Sequence, residues 1–180
     1  GSNMSGKSTF LRTLLVNSIL AQTIYTCFAD KFTSPLVKQF SVIRIDDNIF
    51  EGKSYYLQEV DMLGSLIKEI ESPDQNLFIL DEVFKGTNTV ERIAAAKAVL
   101  AYLNRNNNIV IVSTHDIELT NLLKTEYELY HFTDTIENNE LQFDHLIKPG
   151  QLRTTNAIRI LELANYPAEV IHEARKNVAH

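Results

Sequence analysis

The 180 residues suffice for one domain with a sizeable core, and 44% hydrophobic with 22% charged residues is the balance of an ordinary globular chain. A net charge of −6 argues against a standing basic surface for nucleic acid. The one cysteine, Cys27, rules out an internal disulfide and fits a reducing, cytoplasmic setting. No apolar run approaches the ~20 residues of a membrane span, and Gly1-Ser2-Asn3 has nothing of a charged-then-apolar leader.

The first element is a loop. Gly1-Ser2-Asn3-Met4-Ser5-Gly6-Lys7-Ser8 fits G-x-x-x-x-G-K-[ST], in which glycines let backbone N–H groups turn inward around phosphate oxygens. Apolar residues at helical spacing (Phe10, Leu14, Leu15, Ile19, Leu20) predict a helix over Lys7–Thr23, whose N-terminal dipole favours the same anion. The nucleotide-holding stretch therefore comprises Gly1, Ser2, Asn3, Met4, Ser5, Gly6, Lys7, Ser8 and Thr9. Lys7 is expected to reach the β- and γ-phosphates, and Ser8 Oγ to ligate Mg2+. Such a loop should follow a buried strand, and none precedes Gly1. The chain thus reads as a piece of a longer protein lacking the first strand, with weak or absent turnover expected on its own.

β-branched and aromatic residues predict strands at Tyr25–Phe28 and Phe40–Ile45, followed by a polar loop over 46–53. A long amphipathic helix follows from Ser54 to Glu71, broken by Pro73. Leu77-Phe78-Ile79-Leu80 is a continuous apolar run suited to a strand buried on both faces. It ends on Asp81-Glu82, which reads as a Walker-B pair. Asp81 would hold Mg2+, while Glu82 would orient and deprotonate the attacking water.

Val90–Leu103 reads as an alanine-rich helix, with Thr87-Asn88-Thr89 either a functional loop or a turn and N-cap. Ile109–Val112 is a second buried strand, ending in Ser113-Thr114-His115. A histidine at that strand end can bond the γ-phosphate or the attacking water. His131, His145, His172 and His180 show no such placement and receive no role. A short helix over Asp116–Leu123 is followed by strands at Glu128–Phe132 and Glu140–Ile147 around a turn at Asn138-Asn139. Helices over Thr154–Ala164 and Pro167–Ala179 close the chain. Alternating strands and helices predict an α/β fold of the P-loop NTPase (ABC-ATPase-like) kind, a mostly parallel sheet flanked by helices. Residues 1–150 form the ATPase domain and 151–180 a helical segment, either a dimer contact or packed on the chain's own sheet.

These motifs, in this order and over nearly the whole chain, resemble the C-terminal ATPase domain of the MutS family. Asn3-Met4 inside the phosphate loop is the most specific mark. Asp46-Asp47, Gly52-Lys53-Ser54 and Glu59 resemble the family's signature segment, and Ser113-Thr114-His115-Asp116 its histidine switch. The resemblance implies a homodimer with ATP between two copies. Lys7, Ser8, Asp81, Glu82 and His115 would act on their own nucleotide, and Ser54 would act in trans on the partner's γ-phosphate. The alternative for Ser54 is a plain helix N-cap. DNA would be bound by domains upstream of this chain. Phe84-Lys85-Gly86 stands where mismatch-repair members usually have Gly-Arg-Gly, and Asn156 where a glycine is common, which points to a divergent MutS-like protein. Two readings compete: an ATPase of another ABC or chromosome-maintenance class, and a nucleotide-dependent dimerisation module. The first is weakened because Phe50-Glu51-Gly52-Lys53-Ser54 lacks the Ser-Gly-Gly signature.

Overall fold

A computed structural model describes residues 5–43, 55–137, 140–152 and 156–178. Two compact units emerge: Ser8–Glu128, and Leu129–His180 together with Gly1–Lys7. Among the described residues the chain is α/β, with a small parallel sheet flanked by helices.

In the unit Ser8–Glu128, strands β1 (Lys38–Val42), β2 (Asn76–Asp81) and β3 (Ile109–Ser113) lie side by side in that order, all parallel. Helix α2 (Tyr55–Glu69) joins β1 to β2 and α3 (Thr89–Leu103) joins β2 to β3, because parallel neighbours need a crossover. α1 (Lys7–Thr23) precedes β1, and α4 (Ile117–Leu123) follows β3. The apolar run of β2 is buried at every position, as expected of a strand covered on both faces. Its side chains alternate. Phe78 and Leu80 enter a cluster with Leu63 and Leu66 of α2, Ala96, Leu100 and Leu103 of α3, and Leu119 of α4. Leu77 and Ile79 face the other way, against Leu11 of α1 and Val37. Phe78 stacks on Phe40 with ring centroids 5.5 Å apart.

Helix starts follow local chemistry. Asn88 is the N-cap of α3: its Oδ1 accepts from the Glu91 amide at 3.0 Å, while its Nδ2 donates to Glu91 Oε2 at 2.6 Å. Thr87 Oγ1 donates to the same carboxylate at 3.3 Å. Thr87-Asn88-Thr89 is therefore a turn and cap, one of the two expected alternatives.

The strand expected at Tyr25–Phe28 does not form. The Phe28 amide donates to Asn17 Oδ1 at 2.6 Å, and Tyr25 has a left-handed φ of 56°, so this backbone cannot enter a ladder. β1 begins two residues earlier than expected, at Lys38, and residues 44 and 45 lie outside those described.

The other unit departs further from expectation. Only Tyr130–His131 (β4) of Glu128–Phe132 is strand, and it pairs antiparallel with Lys148–Pro149 (β7). Glu140–Phe143 (β6) pairs instead with Asp134–Glu137 (β5), a polar stretch with no apolar alternation to announce it. The expected strand stops at Phe143 because His145 is left-handed, with φ 53°, and the Asp144 carboxylate accepts the Leu146 amide. α5 (Ala157–Leu163) and α6 (Ala168–Val178) pack together at the end. Asn156 has an ordinary φ of −101°, and its Nδ2 donates to the carbonyl and carboxylate of Asp134 at 3.2 and 3.0 Å.

Phe78→Ala is expected to cost about 3–5 kcal/mol of unfolding free energy, because it opens a cavity between β2 and three helices. Asn88→Ala should cost only about 1 kcal/mol, the worth of one cap. Urea denaturation of both variants measures the difference.

Candidate active site

The parallel register of β2 on β3 sets Asp81 opposite Ser113. Two sequence segments 32 residues apart thus end at one edge of the sheet, beyond the strands' carboxyl ends, where α/β sheets bind ligands. Asp81 is nearly buried, and two hydroxyls satisfy its carboxylate. Ser8, in the first turn of α1, donates to Oδ2 at 2.6 Å, and Ser113 donates to Oδ1. One carboxylate and one hydroxyl at this separation form a pair of hard oxygen donors. That set fits Mg2+, which takes one or two carboxylates and leaves its other positions to water and phosphate.

Glu82 turns sharply out of the strand, with φ 56°, while its amide still donates to the Ser113 carbonyl at 3.1 Å. His115 Nε2 donates to its Oε1 at 2.5 Å and Lys85 Nζ to its Oε2 at 2.9 Å. Burial pushes this carboxyl up, but the bonds from His115 and Lys85 outweigh burial and hold it at about 2.

His115 is itself held in place. Asp116 carries a bidentate bond from Arg92 of α3, at 2.7 and 3.1 Å, which leaves its carboxylate unable to cap α4. The Asp116 amide is satisfied by Thr114 Oγ1 at 3.0 Å. Glu82, Lys85, Arg92, Thr114, His115 and Asp116 line an open cavity of about 220 Å³. Two cationic side chains and an imidazole around a hydrogen-bonded carboxylate suit an anionic ligand approaching a base.

Of the residues singled out in the sequence, Ser8, Asp81, Glu82 and His115 are brought together. Gly1, Ser2, Asn3, Met4 and Ser54, with Asp46, Asp47, Gly52 and Lys53, lie outside the described residues. Lys7 opens α1, and Thr9 is exposed on its first turn. Ser5 is fully buried, and Gly6 takes φ 102°, a conformation that glycine adopts without strain.

Two participants receive no site role from the sequence. Lys85 and Arg92 sit at ordinary surface-like positions and gain meaning only from Glu82 and Asp116. His145 had no placement to recommend it, yet its Nδ1 donates to the Ser5 carbonyl at 3.3 Å, in the same unit, and would crowd any Cβ on Gly6.

The family model for MutS domain V matches residues 1–180. The DNA mismatch repair protein MutS of Roseiflexus sp. (strain RS-1) is 34% identical over 185 residues, covering 99% of this chain and 17% of that protein. That of Thermus thermophilus (strain ATCC BAA-163) is 31% identical over 176 residues, covering 97% and 22%. That of Listeria monocytogenes serotype 4a (strain HCC23) is 34% identical over 182 residues, covering 98% and 21%. The chain spans about a fifth of the length of these curated relatives. No helix among the described residues is long and apolar enough to cross a membrane.

The folded pKa of Glu82 lies below its value in an unfolded chain, so its charged form stabilises the fold above the ordinary carboxylate range. That contribution is lost as the pH falls towards about 2. Carbon-detected NMR titration should find the Glu82 midpoint near there. In His115→Ala the midpoint should move upward, because burial then faces one donor fewer.

Proposed function

Because the chain belongs to the MutS family, we propose that it is the ATP-binding and hydrolysing part of a MutS-like, DNA mismatch repair-related protein. Its fold is then that of a P-loop NTPase. The ATP cycle of a homodimer would bias DNA-binding domains outside this chain. The observation that carries the reading is the Ser8 hydroxyl on the Asp81 carboxylate, with Glu82 next in the chain and held by His115.

In this reading the phosphate loop, Gly1 to Thr9, takes the triphosphate through its amides and Lys7. Ser8 and Asp81 would hold Mg2+, which would supply neutralising charge to the triphosphate. Glu82 accepts the proton of the attacking water. As described, Glu82 is a weak base, because His115 and Lys85 occupy both of its oxygens. An arriving γ-phosphate competes for those two donors, and each one it takes raises the basicity of Glu82. Basicity thus appears when substrate does. Ser54 acts across the dimer on the partner's γ-phosphate, supported by the family resemblance alone.

The low pKa of Glu82 also favours a second reading, a dimerisation module that holds nucleotide without turning it over. Phosphate release by the full-length protein separates the two. Glu82→Gln should lower the rate by about 10²–10⁴-fold, the usual worth of a positioned general base, with nucleotide affinity retained. Lys7→Ala should weaken nucleotide binding itself. Equal rates for wild type and Glu82→Gln would reject the catalytic assignment.

A further inference from the structure

Glu59, the last residue of the segment that resembles the family's signature, lies on α2 and is 1% exposed. A carboxylate is almost never so buried without a purpose that repays its desolvation. Its Oε1 accepts the Phe84 amide at 2.5 Å, and its Oε2 has no hydrogen-bond partner among the described residues. Burial pushes the carboxyl up, against the backbone amides of Phe84, Lys85 and Gly86, which favour its charged form.

The loop it holds is strained. Glu82 and Phe84 both adopt left-handed φ, 56° and 61°, at a cost of about 1–3 kcal/mol for each non-glycine residue. Phe84 stands where a glycine would adopt the same turn freely. A bulky side chain keeps this conformation only when its surroundings over-determine it. Phe84 lies in one buried cluster with Leu63 and Leu66 of α2 and Ile93 and Ala96 of α3. The Phe84 ring is buried, 6.3 Å from that of Tyr56 on α2. A Cβ on Gly86 would come within 2.8 Å of Tyr56 Cβ and 3.1 Å of its Cα, so the loop lies flush on the first turn of α2. Between these contacts stands the Lys85 ammonium, on Glu82.

We propose that Glu59 is a positioning residue: by gripping the Phe84 amide it locks the left-handed turn after Asp81 and so aims Lys85 and Glu82 into the site. The inference rests on the ATPase reading of Glu82. It also ties that turn to helix α2.

The test measures phosphate release and nucleotide affinity in the full-length protein carrying Glu59→Gln, with Glu59→Asp as a second variant that keeps the charge but shortens the reach. A misaimed base is expected to lower kcat about tenfold to a hundredfold. Nucleotide affinity should change less than about twofold, a difference too small to reflect lost binding. In a Lys85→Ala background Glu59→Gln should cost much less than alone, as expected when one residue acts through the other.

Wild-type kcat in both folded variants would overturn the proposal. So would a parallel fall of kcat, affinity and folded fraction, or failure of both variants to fold, either of which assigns Glu59 to folding alone. Equal rates for Glu82→Gln and wild type would instead remove the ATPase reading, and this inference with it.

Discussion

The pairing of β2 with β3 is the constraint from which the site follows. Parallel strands in this register end together, so Asp81 and Ser113 become neighbours and share a hydrogen bond. Glu82 then anchors its amide on the Ser113 carbonyl, and His115, two residues further on, comes within reach of the Glu82 carboxylate. A slip of one residue would turn every side chain of β2 to the opposite face. Phe78 and Leu80 would then leave the cluster they fill with α2, α3 and α4. Core packing thus enforces the register, and the register assembles the polar residues at the sheet's end.

Charge at that edge is arranged in two linked pairs. Arg92 holds Asp116, which fixes the backbone carrying His115, while Lys85 and His115 together hold Glu82. Two hydroxyls satisfy Asp81. One of the two adjacent carboxylates is thus held by neutral hydroxyls and the other by a lysine and a histidine. The strand end gives its two adjacent carboxylates different surroundings, because Glu82 leaves the strand with a left-handed φ of 56°.

Much of this architecture was legible in the residues. The four-residue apolar run before Asp81 announced a doubly covered strand, and the helical spacing in Lys7–Thr23 announced α1. Failures concentrated where side chains claimed the backbone. Asn17 took the Phe28 amide from a strand whose composition predicted one, and the left-handed residue at His145 ended β6 early. Propensity describes a residue's preference averaged over contexts, and a single long-range hydrogen bond outweighs it.

Local chemistry alone determined the phosphate-loop pattern, the acidic pair at a strand end, the histidine after the next strand and the cap at Asn88, since each is a short pattern whose physics is contained within a few residues. Tertiary structure decided that Ser8 meets Asp81 across 73 residues, that Lys85 and His115 restrain Glu82, that Arg92 fixes Asp116, and that buried Glu59 grips the turn at Phe84. Except for Lys85 and Glu82, those partners lie far apart in sequence, and their charges acquire meaning only once the sheet's register and the packing of α2 and α3 bring them together.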